Sequence, residues 1–316
     1  MLLLASTKGP GPLPTDHDIQ GYSTLINDTF DITFNQSLSN QRTVTVSTDS
    51  NGYWYCDAPS DVTITKLTSL FSNATHLTRI AFGDSFDTSR VTDMFGMFAS
   101  CLSLTSIEFG NSFDTSSVTT MRDMFSYCTS LTSIDVSGFN TSMVEYIDFM
   151  FNGCSSLTSI DVSGFNTSNV INMSSMFNGC SSLTSIDVSG FNTSSAIYMN
   201  KMFRDCHSLT SLDVSNFDTS RITNAEQMFY YCSSLTSINV SSFDTSNVTK
   251  IAGTFGYCEQ LTTIDLSSWN LNSVNITPLN YLQFVPNIST LTVQYTSGNI
   301  PSDLRSKFPN VNWVAV

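Results

Sequence analysis

The sequence predicts an α/β repeat solenoid, and three observations carry that prediction. A phrase of the form Leu-Thr-Ser-Ile-Asp-Val-Ser-Gly-Phe-Asn-Thr-Ser returns along the chain with small variations. A second phrase, Met-Phe-x-x-Cys, returns in step with it. Both phrases hold apolar residues that one short copy cannot cover by itself, so neighbouring copies must stack to bury them.

The first phrase begins at Leu131, Leu157, Leu183, Leu209, Leu235 and Leu261, a period of 26 residues. Earlier copies begin at Leu77 and Leu104 with a period of 27, because GDSFDTS and GNSFDTS carry one extra residue before the phenylalanine. Within a copy, Ile160 and Val162 fall on one face of a predicted strand and Asp161 on the other. Phe165 follows after a turn. Thr167 or Ser168 then has the chemistry of an N-cap. Val170, Met173, Met176, Phe177 and Cys180 have spacings of three, three, one and three, which predict a short helix with one apolar stripe. The expected architecture is about eight strand-helix coils over residues 62–278, sharing a parallel sheet.

Both ends depart from the repeat. Residues 1–20 hold Gly9, Pro10, Gly11, Pro12 and Pro14, which exclude regular structure and predict an extended docking arm. Residues 21–61 alternate apolar and polar side chains around Asn51-Gly52 and predict an N-terminal β cap. Residues 279–316 predict a C-terminal strand-helix-strand cap, with Phe308 and Trp313 over the last coil.

Composition narrows the function. Twelve Lys plus Arg face 26 Asp plus Glu, a net charge of −14, and a nucleic-acid backbone needs the opposite balance. No apolar run approaches the ~20 residues that span a bilayer. Leu2 to Ala5 is too short for the core of a secretory leader and no basic residue precedes it, so neither a signal peptide nor an anchor is expected.

The chemistry-bearing residues are themselves periodic. Cys101, Cys128, Cys154, Cys180, Cys206, Cys232 and Cys258 hold one repeat position. Stacked coils would bring their Cα atoms within disulfide range, but the thiols follow the buried Met-Phe pair in parallel and read as a structural ladder of free cysteines. No CxxC occurs and the histidines are His17, His76 and His207, so no metal site and no cofactor are expected. Asp135, Asp161, Asp187, Asp213 and Asp265 form an acidic ladder on the outward strand position, with Glu108 before them and Asn239 interrupting. The spacing of a dedicated calcium loop is absent, and the ladder reads as solvated or partner-facing. Gly83-Asp84-Ser85 has the register equivalent Gly110-Asn111-Ser112, which makes it repeat filler and leaves no catalytic group. Asn140, Asn166 and Asn192 match a glycosylation acceptor only because the repeat recurs.

The pattern LTSIDVSxFxTSxVxxMxxMFxxC resembles the BspA-type leucine-rich repeat, DUF285, of bacterial surface proteins. That resemblance implies a leucine-rich-repeat-like stack without catalytic activity, displayed for recognition or adhesion. The expected partner is a protein or glycan on a cell surface, met by Asp135, Thr158, Ser159, Asp161, Ser163, Asp187 and Asp213. The alternative is a bacteriophage virion component, a capsid or tail decoration or host-attachment protein, docked among neighbouring virion proteins through residues 1–20. Its location is then the cell surface or extracellular space, or the virion.

Overall fold

The computed structural model describes residues 2–3, 21–22, 30–36, 40–48, 53–57, 64–274, 285–286 and 288–316. The chain divides into two compact units, residues 1–157 and 158–316. The docking arm expected over residues 1–20 lies outside the described residues except for β1 (Leu2–Leu3), which pairs in parallel with β2 (Gly21–Tyr22).

In the first unit, β3 (Phe30–Gln36), β4 (Asn40–Thr48) and β5 (Tyr53–Asp57) are antiparallel neighbours. β5 then pairs in parallel with β6 (Arg79–Phe82), and β6 with β7 (Ser106–Glu108). Beyond this sheet the coils stay in register through single parallel bridges, Lys66 to Asp93, Asp93 to Thr120 and Thr120 to Tyr146. Phe71, Phe98, Phe125 and Phe151 stack one above another inside, with centroids 5.4, 5.6 and 5.5 Å apart. A repeat in sequence has become a repeat in space, which is the definition of a parallel β-solenoid.

The second unit repeats the arrangement. Asn172, Tyr198, Asn224 and Lys250 are bridged in parallel. Phe177, Phe203, Phe229 and Phe255 stack at 5.7, 6.1 and 5.5 Å. Strands are short: β8 (Ser211–Asp213) pairs with β9 (Ser237–Asn239), and β10 (Thr263–Leu266), β11 (Thr292–Tyr295) and β12 (Asn312–Ala315) form a parallel three-stranded sheet. Helix α1 (Ser302–Ser306) lies between β11 and β12. Phe308 is buried, and its carbonyl accepts the Trp313 indole N–H at 3.4 Å.

The helix expected in every coil is not there; α1 is the only helix among the described residues. The same stripe is built instead from consecutive tight turns. In the coil holding Cys101, the N–H groups of Met94, Gly96, Phe98 and Ser100 donate to carbonyls of the next coil, at Thr120, Arg122, Met124 and Ser126. Between them, Met97, Ala99 and Cys101 donate three residues back along their own coil. Gly96 and Ser100 take positive φ, +59° and +61°. The pattern recurs at Asp123 and Tyr127, Phe149 and Gly153, Ser175 and Gly179, Lys201 and Asp205, and Gln227 and Tyr231. A left-handed residue every fourth position ends any helix before it can propagate. Ladder bonds between coils replace the lost i to i−4 bonds, so every N–H from Met94 to Cys101 still finds an acceptor. Thr167 accordingly caps no helix. It is buried and bonds across to the following coil.

Candidate functional site

The polar positions of a coil sort into corners, seams and an outward row. Corners come from Asx turns, in which a side-chain oxygen accepts the N–H two residues on. Asp161 takes Ser163 N–H at 2.9 Å, Asp187 takes Ser189 and Asp213 takes Ser215 at the same distance, and Asp265 takes Ser267. A second corner follows the phenylalanine, where Asn140, Asn166, Asn192, Asp218 and Asp244 hold the N–H of the serine two residues on. An amide oxygen and a carboxylate oxygen serve equally as acceptor. That equivalence explains why Asn239 stands in the acidic ladder, accepting Ser241 N–H at 3.2 Å.

Seams lie inside. Thr115 Oγ1 donates to the Asn140 carbonyl at 3.0 Å and accepts the Asn140 N–H at 2.8 Å. Thr167 does both to Asn192, and Thr245 does both to Asn270. One buried hydroxyl thus closes two backbone groups that no strand partner reaches. The thiols form the other seam. All eight cysteines are buried and none is joined in a disulfide. Cys101 donates to the Phe71 carbonyl, Cys128 to Phe98 and Cys154 to Phe125; Cys206, Cys232 and Cys258 do likewise to Phe177, Phe203 and Phe229, all at 3.0–3.2 Å. Burial pushes the Cys101, Cys154 and Cys206 thiols up to about 12. A thiol held neutral is neither a nucleophile nor a metal ligand.

What remains outward is the row anticipated for partner contact. In the second unit Thr158, Ser159, Asp161, Ser163, Asp187 and Asp213 are all exposed, while Ile160, Val162, Val188, Leu212 and Val214 between them are buried. In the first unit Asp135 is exposed, and its Oδ1 accepts the Ser137 hydroxyl at 2.6 Å and N–H at 3.0 Å. Those Ser137 donors hold the Asp135 carboxyl below the usual range; Ser189 and Ser215 do the same for Asp187 and Asp213. Those three carboxylates therefore stay ionised through the physiological range. Among the described residues no cluster of three or more His, Cys, Asp or Glu side chains could hold a metal ion.

Asp135 has a further setting that the ladder alone does not announce. It lines a cleft of about 600 Å³ with Glu108, Phe109, Gly110, Asn111 and Phe139. The repeat period changes from 27 to 26 at this point, and Ala81, one coil before Glu108, stands where later coils carry Glu, Asp or Asn. The Gly83-Asp84-Ser85 triplet contributes a brace, since Asp84 Oδ1 accepts the Asn111 side-chain amide at 3.0 Å.

Residues 65–182 and 207–278 match a family described as "Mycoplasma protein of unknown function, DUF285". Among solved structures, the chain is similar to a leucine-rich repeat protein from Bacteroides ovatus at 16% identity, covering 93% of this chain and 100% of that chain, with a TM-score of 0.31. No curated protein matches the chain.

Proposed function

Because the chain belongs to the DUF285 family, the BspA-type repeat proteins, we propose that it is a non-enzymatic, surface-displayed recognition or adhesion module. Its partner is a protein or a carbohydrate, engaged through the outward hydroxyl and carboxylate rows of the coils. One observation supports this reading above the rest. Thr158, Ser159, Asp161 and Ser163 are exposed, and their counterparts recur in register, Thr184 and Asp187 in the next coil and Thr210 and Asp213 in the one after. Short polar side chains at ~4.8 Å intervals offer many modest hydrogen bonds over an extended area. The buried thiols and the satisfied seams point the same way, since the groups with reactive chemistry are consumed in holding the coils together.

The test uses substitutions that leave the corners alone. Replacing Thr158, Thr184 and Thr210 together by Lys covers the row with bulk and neutralises the charge of Asp161, Asp187 and Asp213, while every Asx turn is retained. The purified protein is expected to bind saturably to members of a panel of immobilised glycans and matrix proteins, and the triple variant to lose that binding with an unchanged melting temperature. Saturable binding that survives the three lysines rejects the row as the contact surface.

A further inference from the structure

Tyr55, Ala81 and Glu108 are register partners across β5, β6 and β7. They form one row, with Tyr55 and Glu108 about 10 Å apart over two strand spacings. Tyr55 is 43% exposed and Glu108 is exposed, but Ala81 between them is only 7% exposed. A methyl group in place of the usual Asp leaves a dent flanked by two long side chains. That dent is a cleft of about 360 Å³ bounded by Tyr55, Ala81 and Asp84, and it shares Glu108, Phe109, Gly110 and Asn111 with the cleft that ends at Asp135. The two adjoin as one groove within the first unit.

The groove has a specific chemistry. Three carboxylates, Asp84, Glu108 and Asp135, lie along it. The cation beside them is Arg79, 3.6 Å from Glu108, with both side chains more than half exposed and the pair correspondingly weak. The floor is aromatic. Phe109 is partly exposed and braced by Phe113 at 4.7 Å, Phe139 at 5.0 Å and Phe82 at 6.2 Å. Gly110 fixes the floor's depth, because a Cβ there would lie 2.4 Å from the Phe82 carbonyl oxygen. Ring faces beside carboxylates suit a planar delocalised cation, which stacks on the former and pairs with the latter in fork geometry. Anionic ligands are opposed both locally and by a net charge of −14.

We propose that this groove binds an arginine-bearing basic polypeptide segment, with guanidinium groups stacked on Tyr55 and Phe109 and paired with Glu108 and Asp135. The site is distinct from the threonine row of the second unit, so its failure and the failure of that row are read separately. The experiment is calorimetric titration of the full chain with hexa-arginine, hexa-lysine and maltohexaose. Hexa-arginine is expected to bind more tightly than hexa-lysine, and maltohexaose not to bind. The double variant Glu108→Gln/Asp135→Asn is expected to weaken hexa-arginine about tenfold. Asp187→Asn/Asp213→Asn removes the same two charges from the second unit and is expected to weaken it less than about twofold. Arg79→Ala, which removes the competing guanidinium, is expected to tighten binding. Filling the dent with Ala81→Gln is expected to weaken it at constant charge. Equal losses from the two double variants would mean diffuse charge attraction and overturn the proposal. Equal affinity for hexa-lysine overturns the stacking on Tyr55 and Phe109, and maltohexaose binding abolished by Ala81→Gln reassigns the groove to neutral glycans. Asn and Gln keep the shape of the acids they replace, and retained melting temperatures confirm that each variant is folded.

Discussion

In the coil that begins at Leu104, the outward strand position is Glu108, the next residue is Phe109, and an extra residue bulges the path to Phe113. In the coil that begins at Leu183, the same positions are Asp187 and Val188, and the path runs directly to Phe191. Glu108 reaches across to Arg79, whereas Asp187 folds back to cap its own turn. Phe109 is partly exposed beside a cleft, whereas Val188 is buried. The interiors nevertheless match: Phe98 stacks on Phe125 at 5.6 Å and Phe177 on Phe203 at 5.7 Å. One residue of insertion therefore changes the surface and leaves the core untouched. A solenoid allows this because each coil is held by interior ladders that an outer bulge does not reach.

If that is right, truncation should separate the two kinds of phenylalanine first and most strongly. Phe203→Ala empties a position with no exposure and is expected to cost about 3–5 kcal/mol in urea denaturation. Phe109→Ala, in the bulged coil, is expected to cost less, roughly 1–3 kcal/mol, because that ring is already partly exposed. Equal costs would mean that the bulge is part of the core.

The threonine seam should behave alike in both regions. Thr115→Val and Thr167→Val keep the side chain's volume but leave a buried N–H and a carbonyl without their partner. Each is expected to cost about 2–4 kcal/mol, and a difference between them larger than about 1 kcal/mol would show that the two units are not held by the same bond. The thiol seam adds a pH signature. Folded thiols at Cys101, Cys154 and Cys206 are raised to about 12, against 9.0 when free. Groups raised in the folded state contribute their stability in full below the unfolded value and lose it as pH rises towards the folded one. The denaturation midpoint is expected to fall between pH 9 and 12, with Ellman's reagent unreactive toward the native protein at the lower end.

The glycines split along the same line. Gly110→Ala places a Cβ 2.4 Å from the Phe82 carbonyl oxygen, while at Gly190 the nearest atom is the Ser163 carbonyl oxygen at 3.5 Å. The first is expected to cost about 1–3 kcal/mol by overpacking. The second is expected to stabilise by about 0.4–1 kcal/mol, by restricting the unfolded chain. Thermal melts of the two variants read both signs.

How much of this was legible in sequence depends on what each feature asks of its neighbours. Periodicity placed Ile160, Val162, Phe165, Met173, Phe177 and Cys180 inside, because burial of a recurrent position needs only that copies stack. It could not choose between a helix and successive turns, since spacings of three, three, one and three lay an apolar stripe on either. The deciding residues were Gly153, Gly179 and Gly253, with Asp123 and Asp205 in the same role, all at positive φ. Glycine just before cysteine in FNGC was the visible warning against a helix. Thr167 misled for a different reason: its partner is Asn192, 25 residues on, and a capping rule looks only at its own turn. Asp135 was legible as an outward carboxylate, but the cleft around it was not. Ala81, Glu108 and Phe109 are departures from the consensus, and a pattern search treats departures as noise when they are where one coil's surface differs from the next.

The acidic row supplies the finest distinction. If Asp187 serves the fold only as a hydrogen-bond acceptor, an amide should replace it without loss, as Asn239 already does at the same position two coils later. Asp187→Asn is expected to leave the melting temperature at pH 7 unchanged, and Asp187→Ala to lower it slightly, because Ser189 N–H then loses its partner. Acid separates the variants further. The Asp187 carboxyl is lowered by the Ser189 hydroxyl and N–H, so its contribution is present above the unfolded value of 3.8 and lost as pH falls through the folded one. The Asn variant, having no proton to gain, should lose less stability than the parent over that acid window. If it loses as much, protonation of Asp187 does not contribute to acid unfolding, and the Ser189 donors do not favour its carboxylate over its acid form.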